Sequence, residues 1–282
     1  MGQIIDGRAV AQGVKNQIKE FVNKKVNEGK RVPKIASILV GNDGGSIYYI
    51  NSQEKVALSL GLLFDKILLD EDIKEEELIE LINKLNNDNT IDGIMIQVPL
   101  PKHINEKKVV ESISPLKDID CLTTESVGKL YIGQKGFIPC TPNSVMHLIK
   151  SLGVDIKGKE AVVLGRSNIV GKPVSQLLLN ENATVTICHS KTKDLQEVCK
   201  RADILVVAIG KPKFVDDNFV KEGAIVIDVG TSSVNGKITG DVDFDKVIEK
   251  ASYVTPVPGG VGALTTTLLI KNACEAMDNN EY

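Results

Sequence analysis

The nine residues Gly165-Arg166-Ser167-Asn168-Ile169-Val170-Gly171-Lys172-Pro173 form the pattern in this chain best suited to holding a phosphorylated ligand. They follow a β-rich run, EAVVL at 160–164, and open a helical one. At such a turn small residues let the backbone approach a phosphate, and the helix N-terminus supplies N–H donors. The spacing is not G-x-G-x-x-G. It is not a P-loop either, because five residues separate the glycines and Pro173 stands where Ser or Thr would hold magnesium. Nucleotide hydrolysis therefore fails on geometry, which leaves a dinucleotide site or an ordinary strand-to-helix turn that needs glycine. The next strand end bears on which dinucleotide. A NAD site usually places an acid there for the ribose 2′-hydroxyl. Here Cys188-His189-Ser190-Lys191-Thr192 contains no acid, and the next one is Asp194. Arg166, Ser190 and Lys191 would suit a 2′-phosphate, which a carboxylate would repel. The alternative is a solvated basic loop; the reading favoured is NADP.

A strand must deliver this loop and a helix must leave it. The chain alternates β-rich and helical runs throughout, which argues for an α/β fold with mostly parallel sheets. Runs 34–40, 62–69 and 92–98 read as strands, with helical spacing over 46–60 and 75–85 between them. A second unit starts at Glu160, with strands at 160–164 and 183–188 around a helix at 173–180. Near-continuous apolar strands at 203–209 and 224–229 follow, as in a sheet covered on both faces. The stretch 115–142, punctuated by Gly128, Gly133, Gly136 and Pro139, reads as loops of an inter-domain passage, and a helix is expected at 143–152. The expected domains are a substrate domain over 1–140, with a closing helix in 265–282 packing back on it, and a Rossmann-like cofactor domain over 141–264.

A chain of 282 residues, 42% hydrophobic and 25% charged, has an ordinary globular composition and the length for two medium cores. Its formal charge of -3 gives no basic footprint for nucleic acid or anionic membrane. Cys121, Cys140, Cys188, Cys199 and Cys274 are dispersed without a C-x-x-C, and the histidines are limited to His103, His147 and His189. Reduced cytosolic thiols are expected, with neither a disulfide framework nor a metal site. No apolar signal segment opens the chain, and no apolar run reaches membrane-spanning length, so a cytoplasmic location is expected.

Eight segments carry a broader resemblance: ILVG (38–41), SIYYIN (46–51), GIMIQVPLP (93–101), KDID (117–120), PCTP (139–142), GRSNIVGKP (165–173), GDVDF (240–244) and TPVPGGVG (255–262). In these, and in their order, the chain resembles the methylenetetrahydrofolate dehydrogenase/methenyltetrahydrofolate cyclohydrolase family nearly end to end. The resemblance implies two α/β domains with a cleft between them, folate on the N-terminal side and NADP on the C-terminal side. It also implies a homodimer built through the cofactor domains. The implied substrate-side residues are Tyr49, Gln53, Ile96, Gln97, Val98 and Asp120, with Pro258, Gly259, Gly260, Val261, Gly262 and Thr265. The implied cofactor-side residues are Cys140, Gly165, Arg166, Ser167, Ile169, Val170, Gly171, Pro173, Ser190, Gly210 and Thr231. Two departures from the family stand at Thr231, usually aliphatic, and Ala263, often proline, where a looser loop is expected.

The family's catalytic pattern is Tyr-x-x-x-Lys on the first long helix of the substrate domain. Tyr49 matches the tyrosine, but Gln53 occupies the lysine position. Lys55 lies six residues on, turned about 240° from Tyr49 on a helix. Glutamine can donate and accept hydrogen bonds but cannot cycle a proton near neutral pH. The resemblance gives Gln97 a contact with the lysine position and substrate, and Asp120 the amino-pyrimidine edge of the pterin; otherwise Asp120 would be a loop-capping acid. With Tyr49, Gln53, Gln97 and Asp120 as the catalytic set, the expected activity is NADP-dependent oxidation of 5,10-methylenetetrahydrofolate, with cyclohydrolase activity weak or absent. The alternatives are a full dehydrogenase/cyclohydrolase yielding 10-formyltetrahydrofolate, and a non-catalytic folate or NADP sensor.

Overall fold

The structure is a computed structural model describing residues 2–280. In chain order it opens with β1 (Gln3–Ile4) and α1 (Gly7–Asn27). Next come β2 (Lys34–Val40), α2 (Gly44–Ser59), β3 (Leu63–Leu69), α3 (Glu75–Asn87) and β4 (Gly93–Ile96). Helices α4 (Glu106–Val110), α5 (Thr124–Tyr131) and α6 (Cys140–Ser151) follow. A second α/β run contains β5 (Glu160–Leu164), α7 (Gly171–Asn180), β6 (Thr184–Cys188), α8 (Leu195–Cys199), β7 (Ile204–Val207) and β8 (Ile225–Asp228). The hairpin β9 (Ser232–Val234) and β10 (Lys237–Thr239), then α9 (Phe244–Val247), β11 (Tyr253–Val254) and α10 (Gly262–Asn280), complete it.

Contacts divide the chain into two compact units, one holding residues up to Gln12 with Pro139–Thr265, the other Gly13–Ile138 with the residues from Thr266 on. Residues before Gly13, expected with the substrate domain, thus fall in the other unit. The reason is backbone pairing: β1 runs parallel to β11, Gln3 opposite Tyr253.

In the Gly13–Ile138 unit, β2 is the centre of a three-stranded sheet ordered β3-β2-β4, with both pairings parallel. Its residues Ile35 to Val40 are all buried, which is why the run reads as apolar without alternation. Ile38, Ile94 and Ile96 pack with Leu78 and Ile82 of α3 into one apolar cluster. Lys117 is buried and donates Nζ to the carbonyls of Leu85 and Asp88, closing the C-terminal end of α3. The closing helix packs here, its Asn272 donating to the carbonyls of Ile119 and Ile138 at 2.7 and 3.3 Å.

In the other unit a six-stranded sheet runs β1-β11-β8-β7-β5-β6, every pairing parallel. Chain order leaves β5 first for β6 on one side and then for β7 on the other. That reversal opens a crevice beyond the strand ends, where doubly wound sheets take their ligands.

Candidate active site

Of the residues expected on the substrate side, Tyr49 and Gln53 lie on α2, Ile96 ends β4 with Gln97 and Val98 just after it, and Pro258–Gly262 with Thr265 fall in the other unit. Asp43 caps α2, its carboxylate accepting from the Ser46 N–H and hydroxyl at 2.8 and 2.9 Å. The capped helix presents Tyr49 to solvent, edge-on to Tyr48 with centroids 6.3 Å apart. One turn on, Gln53 is buried. Gln97 follows β4 and is fixed by its own N–H to the Ile38 carbonyl. Its side-chain NH₂ donates to Gln53 Oε1 at 2.8 Å and to Ser37 Oγ at 3.0 Å. The position expected to match the family's lysine thus holds a buried amide in a Ser37–Gln97–Gln53 chain, while Lys55 is exposed.

Asp120 is half-buried in a turn, and its neighbour Asp118 accepts from the N–H groups of Leu122 and Thr123 and from the Thr123 hydroxyl. Ile96 turns its side chain into the core, so only its backbone is available to a ligand, whereas Val98 is exposed. The bond joining Val98 to Pro99 is cis, as is Val257–Pro258.

In the other unit the Gly165 loop leaves β5 as expected, and α7 starts at Gly171 rather than Pro173. Gly165 has φ +135, and a Cβ there would lie 2.2 Å from the Ala208 carbonyl oxygen; one on Gly171 would lie 2.3 Å from the Gly165 oxygen. The loop is therefore a backbone cradle that side chains would fill. Ser167 Oγ accepts from the N–H groups of Val170 and Gly171, so it satisfies two of the helix's first donors. Ile169 is exposed, and Pro173 sits in the first turn, where a missing N–H costs nothing.

A cavity of about 270 Å³ lies against this cradle, lined by Gly165, Arg166, His189, Ser190, Lys211 and Phe214 among others. Among the described residues no carboxylate lines it. Lys191 does not line it, and its N–H donates to His189 Nδ1. Ile209 and Gly210 donate their N–H groups to Asp241 Oδ2 at 2.7 and 2.9 Å, which fixes the turn after β7. Thr231 is exposed and follows Gly230, whose N–H is held by Asp228 Oδ1. Burial pushes the Asp228 carboxyl up to about 6, against the pull of three backbone N–H donors.

In the Pro258–Gly262 stretch, Gly259 has φ +109 and a Cβ on Gly260 would meet the Pro256 oxygen at 2.6 Å. Val261 is buried, and the Thr265 hydroxyl bonds back to its carbonyl. Ala263 does not loosen a loop: it lies inside the first turn of α10, its N–H donating to Gly260. All five cysteines are buried and outside any disulfide, Cys140 at the start of α6. Burial pushes Cys121 and Cys274 up, whereas a hydrogen bond from Cys199 lowers Cys188 to about 7. Among the described residues no cluster of three His, Cys, Asp or Glu is placed to hold a metal ion.

Family models match both parts of the chain: the tetrahydrofolate dehydrogenase/cyclohydrolase catalytic domain over residues 5–120, and the NAD(P)-binding domain of the same family over 139–281. The chain belongs to the tetrahydrofolate dehydrogenase/cyclohydrolase family. It is 71% identical, over the full length of both chains, to the bifunctional protein FolD of Clostridium botulinum. Its fold matches the crystal structure of the FolD dehydrogenase/cyclohydrolase of Campylobacter jejuni with a TM-score of 0.97 at 42% identity, covering 100% of both chains. It matches the Trypanosoma brucei enzyme, solved with NADP cofactor and inhibitor, with a TM-score of 0.92 at 38% identity over 99% of this chain and 98% of that one. The family's NAD(P) group fits the residues present here, given the cradle of Gly165 and Gly171 and the acid-free cavity beside it. The motif located Gln53 and its chemistry, whereas the Ser37 end of the hydrogen-bond chain had no signal in it.

Proposed function

We propose that this protein oxidises 5,10-methylenetetrahydrofolate to 5,10-methenyltetrahydrofolate with NADP. The observation that carries the cofactor half is the cavity lined by Arg166, His189 and Ser190 with no carboxylate, at the switch between β5 and β7. Bound in that cavity, NADP would supply the hydride acceptor, so the chain's own task is alignment and exclusion of water. Tyr49 offers a ring face to the pterin, Gln97 fixes its amide through Ser37, and Asp120 takes the amino-pyrimidine edge. Arg166 and Ser190 hold the 2′-phosphate, and the Thr231 side chain lies on the nicotinamide side.

Two readings of the second activity follow. The relatives named above are bifunctional, which favours the full dehydrogenase/cyclohydrolase over the loss of hydrolysis expected from Gln53. The site itself favours weak hydrolysis: Gln53 spends its amide oxygen on Gln97 and has no proton to exchange near neutral pH. One spectrophotometric assay with methylenetetrahydrofolate and NADP separates them. Reduced cofactor without methenyl accumulation marks both activities, accumulation marks the dehydrogenase alone, and no reduction of NADP or NAD leaves a sensor.

The protein acts as a homodimer in the cytoplasm. The exposed Val234 and Ile238 of the β9–β10 hairpin offer apolar surface for a second copy, which sedimentation would detect. Among the described residues no helix is long and apolar enough to cross a membrane.

A further inference from the structure

Arg166 and Ser190 come from the loops after β5 and β6, and the cavity they line is closed on its third side by the turn after β7. That turn is built rigidly. Ile209 and Gly210 are pinned to the buried Asp241 carboxylate, Gly210 takes a φ of +64, and the Lys213 N–H donates to the Gly240 carbonyl at 2.9 Å. Of the turn's two lysines, Lys213 points its Nζ toward Asp243 at 3.4 Å. Lys211 has no carboxylate partner among the described residues; its Nζ lies over the Phe214 ring, 5.4 Å from the centroid. Phe214 is anchored in turn against the buried Phe219, with ring centroids 5.5 Å apart. Both Lys211 and Phe214 line the cavity, whereas Lys191 does not.

We infer that Lys211, braced by Phe214, is the second cation of the 2′-phosphate pocket and a determinant of NADP over NAD. The inference rests on the NADP reading above. An ammonium held over an aromatic face keeps its charge and its donors while losing much of its side-chain freedom, so little further ordering is needed when an anion arrives. Without a carboxylate in the lining, nothing competes with the phosphate for either cation. Lys211 is a positioning and specificity residue, remote from the reacting carbon.

The test is calorimetric binding of adenosine 2′,5′-bisphosphate and of AMP to the full-length protein, which reads the pocket without turnover. The wild type should prefer the bisphosphate. Lys211→Gln should weaken the bisphosphate about tenfold, the lower end for a charge-assisted hydrogen bond at an exposed position, and leave AMP unchanged. Lys211→Arg should restore most of the preference, and Phe214→Leu should lose part of it. Arg166→Gln is the reference. A Lys211→Gln variant that keeps the wild-type preference while Arg166→Gln loses it overturns the assignment of Lys211 and leaves the NADP reading standing. A wild type that binds both probes equally overturns the NADP reading, and the assignment with it.

Discussion

Replacing Gln53 by lysine reverses the direction of a buried hydrogen-bond chain, and the consequences can be worked atom by atom. Gln97 now gives both protons of its NH₂, one to Gln53 Oε1 at 2.8 Å and one to Ser37 Oγ at 3.0 Å. A lysine ammonium only donates. Facing it, the Gln97 amide must turn over, presenting Oε1 to the new Nζ, and the Ser37 hydroxyl then donates where it formerly accepted. Both contacts survive with reversed polarity, so the stability cost is chiefly the desolvation of one ammonium, about 3 kcal/mol for a buried ion, or several degrees in Tm for a chain of this size. Burial also lowers the lysine's hold on its proton, toward the range where it can serve as general base. Hydrolysis of methenyltetrahydrofolate should rise by roughly 10²–10⁴-fold over the wild type, the span of a positioned proton-transfer group. The assay is the decay of methenyl absorbance with purified protein, with dehydrogenase turnover as control. Gln53→Met should cut neither background hydrolysis nor the fold, but should impair turnover by leaving a Gln97 proton unsatisfied. If the wild type already hydrolyses the methenyl compound as fast as Gln53→Lys, the reasoning is refuted and proton transfer must run through another group.

Three further outcomes are expected. Gly171→Ala places a methyl 2.3 Å from the Gly165 carbonyl oxygen and should abolish NADP binding while lowering Tm; a wild-type dissociation constant for NADP would count against the backbone cradle. Lys117→Met removes the side-chain donor to the carbonyls of Leu85 and Asp88, which keep only the backbone N–H groups of Asp88 and Ile91, and the urea midpoint should fall by the equivalent of about 1–3 kcal/mol. An unchanged midpoint would mean that water replaces the ammonium there. Asp228 is pushed by burial up to about 6 from 3.8, so the folded protein holds that proton more tightly than the unfolded chain does. The stabilisation is fully present below about pH 4 and is lost as pH rises through about 6, a difference of about 3 kcal/mol. Asp228→Asn, which cannot ionise, should flatten the fall in Tm over that interval, and a profile parallel to the wild type would defeat the assignment.

The longer strands were legible where burial leaves unbroken apolar runs, as at 34–40 and 160–164, whereas the two-residue β1 and β11 and the β9–β10 hairpin were not read as strands. Helix α1 was not read, although Val14, Ile18 and Val22 form its buried stripe, because that stripe is diluted by Lys, Asn and Gln around it. Helix α5 lies in the stretch 115–142 expected to be loops; its start is secured by the Thr123 side chain accepting from Ser126, a bond the surrounding glycines and prolines obscure. For the site, Tyr49 and Gln53 were locatable from a motif on one helix. The partnership of Gln53 with Gln97 spans 44 residues, and Ser37 lies farther back still, so no local spacing could announce it. Lys191 was the natural candidate beside Ser190 in sequence, while the turn after β7 that carries Lys211 reaches the cavity only through sheet order.

The two buried acids behind Thr231 have an effect on how this enzyme can diverge. Asp228 holds the N–H groups of Gly230, Asp241 and Val242, while a Cβ on Gly230 would meet Asp241 at 2.2 Å and one on Gly240 would meet Asp228 at 2.0 Å. None of these four residues can drift singly, since each change strands a carboxylate or collides with one. Inheritance must therefore treat them as a block, and variation beside them is channelled to neighbouring positions such as Thr231, exposed and one residue past the pinned Gly230 N–H.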